Sequence, residues 1–477
     1  MTDLMQLLWQ SLGAASAPDD DGADDGADDD VAKRLRVTGP ELVLPSVYDV
    51  TGLATAAVAA AALAMAEVWT ARGHGSDSVV EVDRRQACAA FRSEALLAPS
   101  GWTLPPIWDP IAGDYRAEDG WIRLHTNYAH HRDAALRALG LAPDPTPTRD
   151  LVADAVRRWK RADVEAAVVA AGGAAAAMYA IHEWAEHPHG RVAVREPVVR
   201  VERGNSPVRP PPMADGGLPL SGIRVLDLTR VIAGPVCTRT LAAWGADVLR
   251  IDPPSFPDVP AALPDTTVGK RCAVLDLGSA DGKRLFADLV RKAHVVVHGL
   301  RPGALAALGL GDGDLRALNP ALIITSVDAY GWLGPWAGRR GFDSLVQMSC
   351  GIAAAGGDES GSDRPVPLPA QALDHSAGYL MAAAVGRGLA RLLRDGAPST
   401  VRTSLVGVAN VLMGLPTPGG LEHAPPLWGD ADLVPRDTDW GPARGVPCPG
   451  LIRVGDRTVR PGWTRPAGPL GRHPAQW

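Results

Sequence analysis

No two cysteines in this chain stand close enough to suggest a disulfide scaffold or a zinc site. The five present, Cys88, Cys237, Cys272, Cys350 and Cys448, are scattered and form no CxxC, which fits a reducing cytoplasm. Phe and Tyr are scarce, at 4 and 6 residues, whereas Trp reaches 14. With abundant Gly, Pro, Ala and Arg, this points to coding bias rather than to a special fold. No basic face is evident. The net charge is -7, and eight aspartates crowd the twelve positions from Asp19 to Asp30, so no nucleic-acid partner is expected. The N-terminus lacks a basic stretch followed by an apolar core, so no signal peptide is expected. The longest apolar run, Leu53 to Val68, contains Thr55 and Glu67. It is short for a bilayer span and reads as a buried helix, with no membrane partner. The phosphate fingerprint GxGxxG is missing. Ile232-Ala233-Gly234-Pro235 offers one glycine and then a proline with no N–H to donate, although a strand ending in Asp252 follows. Metal spacing is missing too. His125, His130 and His131, and His187 with His189, lack the i,i+4 geometry that a zinc site needs, and they read as surface or capping residues.

What is present is a chain of 477 residues, too long for one ordinary core, so two or three domains are expected. Residues 1–39 hold a short helical pattern and the acidic tract, whose like charges repel and read as a disordered tail. Residues 40–202 combine a long alanine-rich helix, Gly52 to Arg72, with a smaller α+β unit around the strand Trp121 to His125. Helical patterns over Leu151 to Ala171 and from Ala175 through Trp184 close it. Residues 203–218, with Pro210, Pro211, Pro212, Gly216 and Gly217, form a linker. From 219 to 412 strands and helices alternate. This predicts an α/β fold with a doubly wound, parallel-sheet (Rossmann-like) large domain beside the smaller α+β domain. Residues 413–477 lose periodicity, and an irregular segment rich in Pro, Gly and Trp is expected there.

Residues 40–95 and 366–412 share an order: extended run, aspartate, glycine, alanine-rich helix, strand, helix. The matching aspartates are Asp49 and Asp374. Asp374 precedes the small-residue helix Ser376 to Leu393, where an aspartate is a standard N-cap. The same position also suits a carboxylate nucleophile. A helix N-terminus favours the anion, and nearby backbone N–H groups can hold a developing oxyanion.

Six stretches carry a family resemblance: LSGIRVLDLTRVIAGP ending at Pro235, WGADVLRID (244–252), GKRCAVLDL (269–277), LRPGALAALGL (300–310), AYGWLGPWAGRRGFDSLVQ (329–347) and LPAQALDHSAGYL (368–380). In this order they resemble the first half of a family III CoA-transferase of the CaiB/BaiF type, the group of formyl-CoA and L-carnitine CoA-transferases. The resemblance implies an α/β large domain, a small domain and an interlocked homodimer. It implies CoA transfer from an acyl-CoA to a carboxylic acid acceptor, with no permanently bound cofactor. The family nucleophile falls on Asp374. The loop Arg230 to Pro235 makes Ile232, Ala233 and Gly234 candidate contacts at the thioester end, and Arg301 resembles a CoA-contacting arginine. Lys270 and Arg271 suit CoA phosphates by charge, or are plain surface cations.

Racemases of the same superfamily carry a histidine where this chain has Phe342, which favours a transferase, although His375 is near in sequence. A non-catalytic acyl-CoA-binding subunit is the further alternative. Residues 40–202 resemble the second half of the family, through DGWIRLH and EWAEHPHG, so the halves stand in an unusual order. Asp49 is then a second nucleophile, a relic or a cap. Bulk at Trp332 and Trp336 hints at a large acyl group.

Overall fold

Short runs of Val, Ile and Leu bury on both faces, as strands covered by helices on two sides do. Seven strands build the central sheet of the structure, a computed structural model. It describes residues 2–13, 31–75, 77–204, 207–209, 216–256, 258–416 and 428–477. The acidic tract and half of the expected linker lie outside these residues. The strands are β1 (Val199–Arg203), β2 (Arg224–Leu228), β3 (Asp247–Asp252), β4 (Lys270–Val274), β5 (Val295–His298), β6 (Ile323–Asp328) and β7 (Ser399–Ser404). Their order is β4-β3-β2-β5-β6-β7-β1. All neighbours are parallel except β7 and β1. The strand order reverses between β2 and β5, and a ligand cleft is expected outside the carboxyl ends of the strands there.

The side chains alternate along each strand. Val225, Val295, Val297 and Ile323 enter one core, and Leu226, Val296 and Ile324 enter the other. The first core holds α1 (Val50–Ala71), α2 (Ala233–Ala243) and a helix after β6, α3 (Asp343–Ser349). It also holds α4 (Ala372–Asp395). The second holds Phe286, Leu289 and Val290 of the helix Ala280–Val290. The sheet is therefore doubly wound.

Small residues let α4 approach its neighbours. A Cβ at Gly378 would lie 2.5 Å from the Ala233 carbonyl oxygen and 2.7 Å from Val236 Cβ. A Cβ at Gly386 would lie 2.9 Å from Ala64 on α1. α1 is long and apolar enough to cross a membrane by length and composition, and its residues from Val50 to Trp69 are buried in this core.

The smaller unit is a three-stranded antiparallel sheet, Gly113–Ala117, Gly120–Leu124 and Ala175–Ala177. Ile111, Tyr115, Leu136, Val152 and Val164 pack its core. Two expectations change here. The helix expected from Leu151 to Ala171 is two helices, Arg149–Val156 and Arg161–Ala170. Ala175–Ala177, expected to be helical, is a fully buried strand, because pairing with Ile122, Arg123 and Leu124 outweighs the helix preference of alanine.

The described residues of the segment 413–477, expected to be irregular, hold four short strands. Leu451–Val454 and Arg457–Val459 extend a sheet begun by Leu35–Thr38 and Ser78–Asp83. Val434–Arg436 and Ala443–Gly445 pair beside Ala98–Pro99. Arg436 is buried on Asp265 (3.0 Å), and Trp463 Nε1 donates to the Arg239 carbonyl (2.8 Å). Long-range partners thus order a stretch whose own sequence has no period.

Candidate functional site

The helix α4 starts earlier than its sequence pattern indicates. Gln371 is the N-cap residue, and Asp374 is the third residue of the helix. Asp374 is therefore not the cap. That work falls to Asp343 at the start of α3, whose Oδ2 accepts from the Leu373 N–H (2.8 Å) and the Asp374 N–H (2.9 Å). Gln347 donates to the other oxygen of Asp343, and its own Oε1 accepts from the Leu368 N–H at 2.8 Å. The expected use of these backbone donors for an oxyanion is thereby corrected, since both are already engaged. The His375 N–H donates to the Gln371 carbonyl.

The Asp374 carboxylate itself has no hydrogen-bond donor among the described residues. It is 7% exposed. Burial first, then repulsion from Asp343 and Glu94, pushes its pKa well above the ordinary carboxylate range. Burial also lifts Asp343, to about 6, against its three donors. His375 is fully buried, with Nε2 3.1 Å from Glu94 Oε2 and its ring stacked on Phe91. It points to Glu94, and it lines neither of the cavities at Asp374.

Two cavities meet at Asp374, and Val231, Ile232 and Phe342 share the wall between them. The first, of about 360 Å³, lies at the strand-order reversal, against Leu228, Gly299 and Val327. Arg230, Arg301 and Arg340 line it, and no carboxylate pairs with any of them among the described residues. His130 and His131 lie beside them. Burial first, then His130 and these arginines, lowers His131 to about 3, so it is neutral at ordinary pH. Three unneutralised guanidinium groups suit phosphate oxygens. The second cavity, of about 410 Å³, is walled largely by apolar side chains and by residues of the segment 92–127.

The wall between the cavities is strained. Val231 has φ of 68°, a left-handed conformation that is costly for a β-branched residue. Its N–H donates to Asp258, at 3.2 Å to Oδ2 and 3.3 Å to Oδ1. Asp258 also accepts from the Tyr128 hydroxyl (3.0 Å) and from Arg250 (2.9 Å). The aspartate therefore holds the loop in place from beneath.

Of the residues expected at the site, Asp374, Ile232, Ala233, Gly234 and Arg301 come together around the first cavity. Lys270 and Arg271 do not. Lys270 is fully buried beneath the loop, with Nζ 2.9 Å from Asp227 Oδ2 and 3.3 Å from the Pro235 carbonyl. Arg271, on the edge strand β4, pairs with Asp247 at 2.7 Å and stacks on Trp477. Neither can meet a phosphate in the cleft. Trp332 and Trp336 also miss both cavities. Trp336 packs among Trp184, His189 and Tyr330, and the expectation of a large acyl group loses its basis. Asp49 accepts from the Gly52 N–H at 2.7 Å as the cap of α1 and lines neither cavity.

Sequence reading missed Arg340, Asp343 and two histidines. His125 and His131 are buried rather than on the surface, and the His125 ring lies flat on Phe342 with centroids 3.6 Å apart. The doubled arginine in GRRGFD was the available signal for Arg340. Nothing local marked His125.

Residues 220–423 match the family described as CoA-transferase family III. A probable fatty acyl-CoA transferase of Mycobacterium tuberculosis is 32% identical over 211 residues, 42% of this chain and 53% of that protein. A succinate–glutarate CoA-transferase of Agrobacterium fabrum is 32% identical over 213 residues, 41% of this chain and 53% of that one. A crystal structure of a CAIB/BAIF family protein from Brucella suis is 23% identical, with a TM-score of 0.39 over 48% of this chain and 65% of that one. The chain spans about half the length of the curated relatives it matches. The resemblance read from the sequence therefore stands over residues 220–423.

Proposed function

We propose, from the premise that residues 220–423 carry a CoA-transferase family III core, that this chain moves CoA between carboxylic acids through a covalent intermediate on Asp374. The observation that supports this most is the position of Asp374 at the junction of two cavities, one lined by free arginines and one largely apolar. The arginine cavity suits the phosphates of CoA. The other suits the acyl group and, later, the acceptor acid.

The proposed sequence balances without an outside reactant. The Asp374 carboxylate attacks the thioester carbonyl carbon, the C–S bond breaks, and CoA leaves as thiolate. The product is a mixed anhydride between Asp374 and the acyl group. The thiolate then attacks the Asp374 carbonyl, the donor acid departs as carboxylate, and an aspartyl-CoA thioester remains. An acceptor carboxylate repeats the two steps in reverse, which regenerates Asp374. Burial, Asp343 and Glu94 raise the pKa of Asp374 and so lower its ionised fraction, but the carboxylate that does form has no donors and little water and is a strongly basic nucleophile.

The test is intact-mass analysis after incubation with a panel of acyl-CoAs, followed by hydroxylamine. Wild type should form an adduct and be trapped at Asp374, and Asp374→Ala should not. A wild-type protein that binds CoA yet forms no adduct with any donor would return the site to a binding role.

A further inference from the structure

Attack by Asp374 on a thioester makes an oxyanion, and several donors near it are already engaged. The N–H groups of Leu373 and Asp374 donate to Asp343, and the Val231 N–H donates to Asp258. The Asn127 amide donates to the Ile107 carbonyl. Asp343 and Glu94 repel charge on Asp374, and no cation of the described residues is among the groups that shift it, although Arg92 lines the same cavity. The charge that moves from the carboxylate to the former carbonyl oxygen therefore stays in a negative field. A fixed hydrogen-bond donor counts most in such a place.

Gln371 lines the second cavity beside Asp374. It is the N-cap residue of α4, and Asp374 is the third helical residue. Positions three apart share a helix face, with Cβ atoms about 5–6 Å apart. Ser, Thr, Asp and Asn are favoured at an N-cap because their short side chains reach the N–H groups of the first turn. The Gln371 side chain makes no such bond, and the capping comes instead from Asp343 on α3. Its half-buried carboxamide has no hydrogen bond among the described residues. The helix thus gains no bond from this side chain, which carries two N–H donors beside the nucleophile. A neutral amide also differs from a cation, which would pair with the Asp374 carboxylate and lower its basicity.

We infer that Gln371 donates a hydrogen bond to the acyl carbonyl oxygen as Asp374 attacks. This rests on the CoA-transfer reading for the attack, but not for the hydrogen bond itself. As an Asp374 oxygen bonds to the thioester carbon, the π pair of the carbonyl moves onto its oxygen and meets the Gln371 Nε2–H. The pair returns when the C–S bond breaks and CoA leaves as thiolate. No proton changes owner.

Two measurements separate those parts. The first is the single-turnover rate of adduct formation at Asp374 from acetyl-CoA and hexanoyl-CoA, in wild type, Gln371→Ala and Gln371→Ser. Both variants should be slower by about 100- to 1000-fold, the scale of losing one oxyanion donor, while acyl-CoA affinity holds. Serine is a good cap, so a rate restored in Gln371→Ser but not in Gln371→Ala would make the residue structural and overturn the assignment. A loss confined to affinity would also overturn it. The second is the infrared carbonyl band of the same two thioesters, isotope-labelled at the carbonyl carbon and bound to Asp374→Ala, where the thioester stays whole. Adding Gln371→Leu should move the band to higher frequency as the hydrogen bond is lost. An unmoved band would overturn the role of Gln371 even if CoA is transferred. A band that moves while wild type forms no adduct would uphold the hydrogen bond and overturn the transfer chemistry.

Discussion

Replacing Gly378 by alanine tests how the nucleophile is positioned. Gly378 stands four residues after Asp374 on α4, where α4 crosses the start of α2. Two effects oppose each other. Alanine in a helix interior is favoured over glycine by about 1 kcal/mol. The new methyl, however, would lie 2.5 Å from the Ala233 carbonyl oxygen and 2.7 Å from Val236 Cβ, far inside contact distance. Both obstacles are rigid, one being backbone and the other a β-branched side chain. Overpacking of this kind costs about 1–3 kcal/mol, and a backbone obstacle lies at the upper end. The clash should win, with a net loss of about 1–2 kcal/mol after the propensity gain. Gly388→Ala is the control, because the atoms nearest a Cβ there, the Ser399 hydroxyl and Ile323 Cδ1, are ends of side chains that can rotate aside. Urea midpoints should fall for Gly378→Ala and stay closer to wild type for Gly388→Ala. Relief of the clash pushes the first turns of α4 away from the loop Arg230 to Gly234, so adduct formation at Asp374 should slow by about 100-fold for a shift near 1 Å. A Gly378→Ala protein that is more stable than wild type, by the margin that helix propensity alone supplies, would refute the close-packing argument.

Four further outcomes follow from the site. Asp343 has a folded-state pKa raised to about 6, so the stability it contributes is full below its unfolded value and is lost as pH rises through 6. Asp343→Asn should therefore gain urea resistance relative to wild type between pH 4 and pH 7, and a pH-independent difference would contradict the assignment. Because Asp343 repulsion helps raise the pKa of Asp374, the same variant should shift the pH profile of adduct formation to lower pH. Alanine at Arg301 or Arg340 should raise KM for acyl-CoA about 10-fold or more, with a smaller penalty for a thioester that lacks the nucleotide phosphates; equal penalties would remove phosphate from the cavity. In deuterium oxide, a 2-methylacyl-CoA should gain no label at its α-carbon if transfer is the chemistry, whereas steady exchange would transfer the proton-moving role to His125 or His131.

The central sheet was legible because its information is local. Most strands from Arg224 to Asp328 are short apolar runs between helices, whereas β7, with the sequence STVRTS, was legible from its place between helices rather than from its composition. Asp374, Gly234 and Arg301 were legible because they sit in linear motifs. The remainder depends on contacts made far along the chain. Lys270 carries the same charge whether it faces a cleft or Asp227, and only the register of β4 decides that it points under the loop. The role of Asp343 as the cap of α4 is a contact between residues 30 positions apart. Ala175–Ala177 reads as helix by composition and becomes strand by pairing. His125 reaches the cavity only because the smaller sheet lays it against Phe342.

The sheet that joins Ser78–Asp83 to Leu451–Val454 pairs Glu81 with Leu451, which sets a timetable for synthesis. At about 5–20 residues per second, a ribosome needs on the order of 20–70 s to deliver the second strand after the first. The helix α1 can pack early on the helix Thr2–Gly13 and the strand Ser78–Asp83, but its most extensive partner, α4, comes some 300 residues later. During that interval the face that α4 will cover stays exposed on a helix long and apolar enough for a bilayer. The contacts that make α1 the centre of the folded core thus make it the greatest liability of the unfinished chain. Holdase protection before the C-terminal segment emerges is the demand that this order of segments places on the cell.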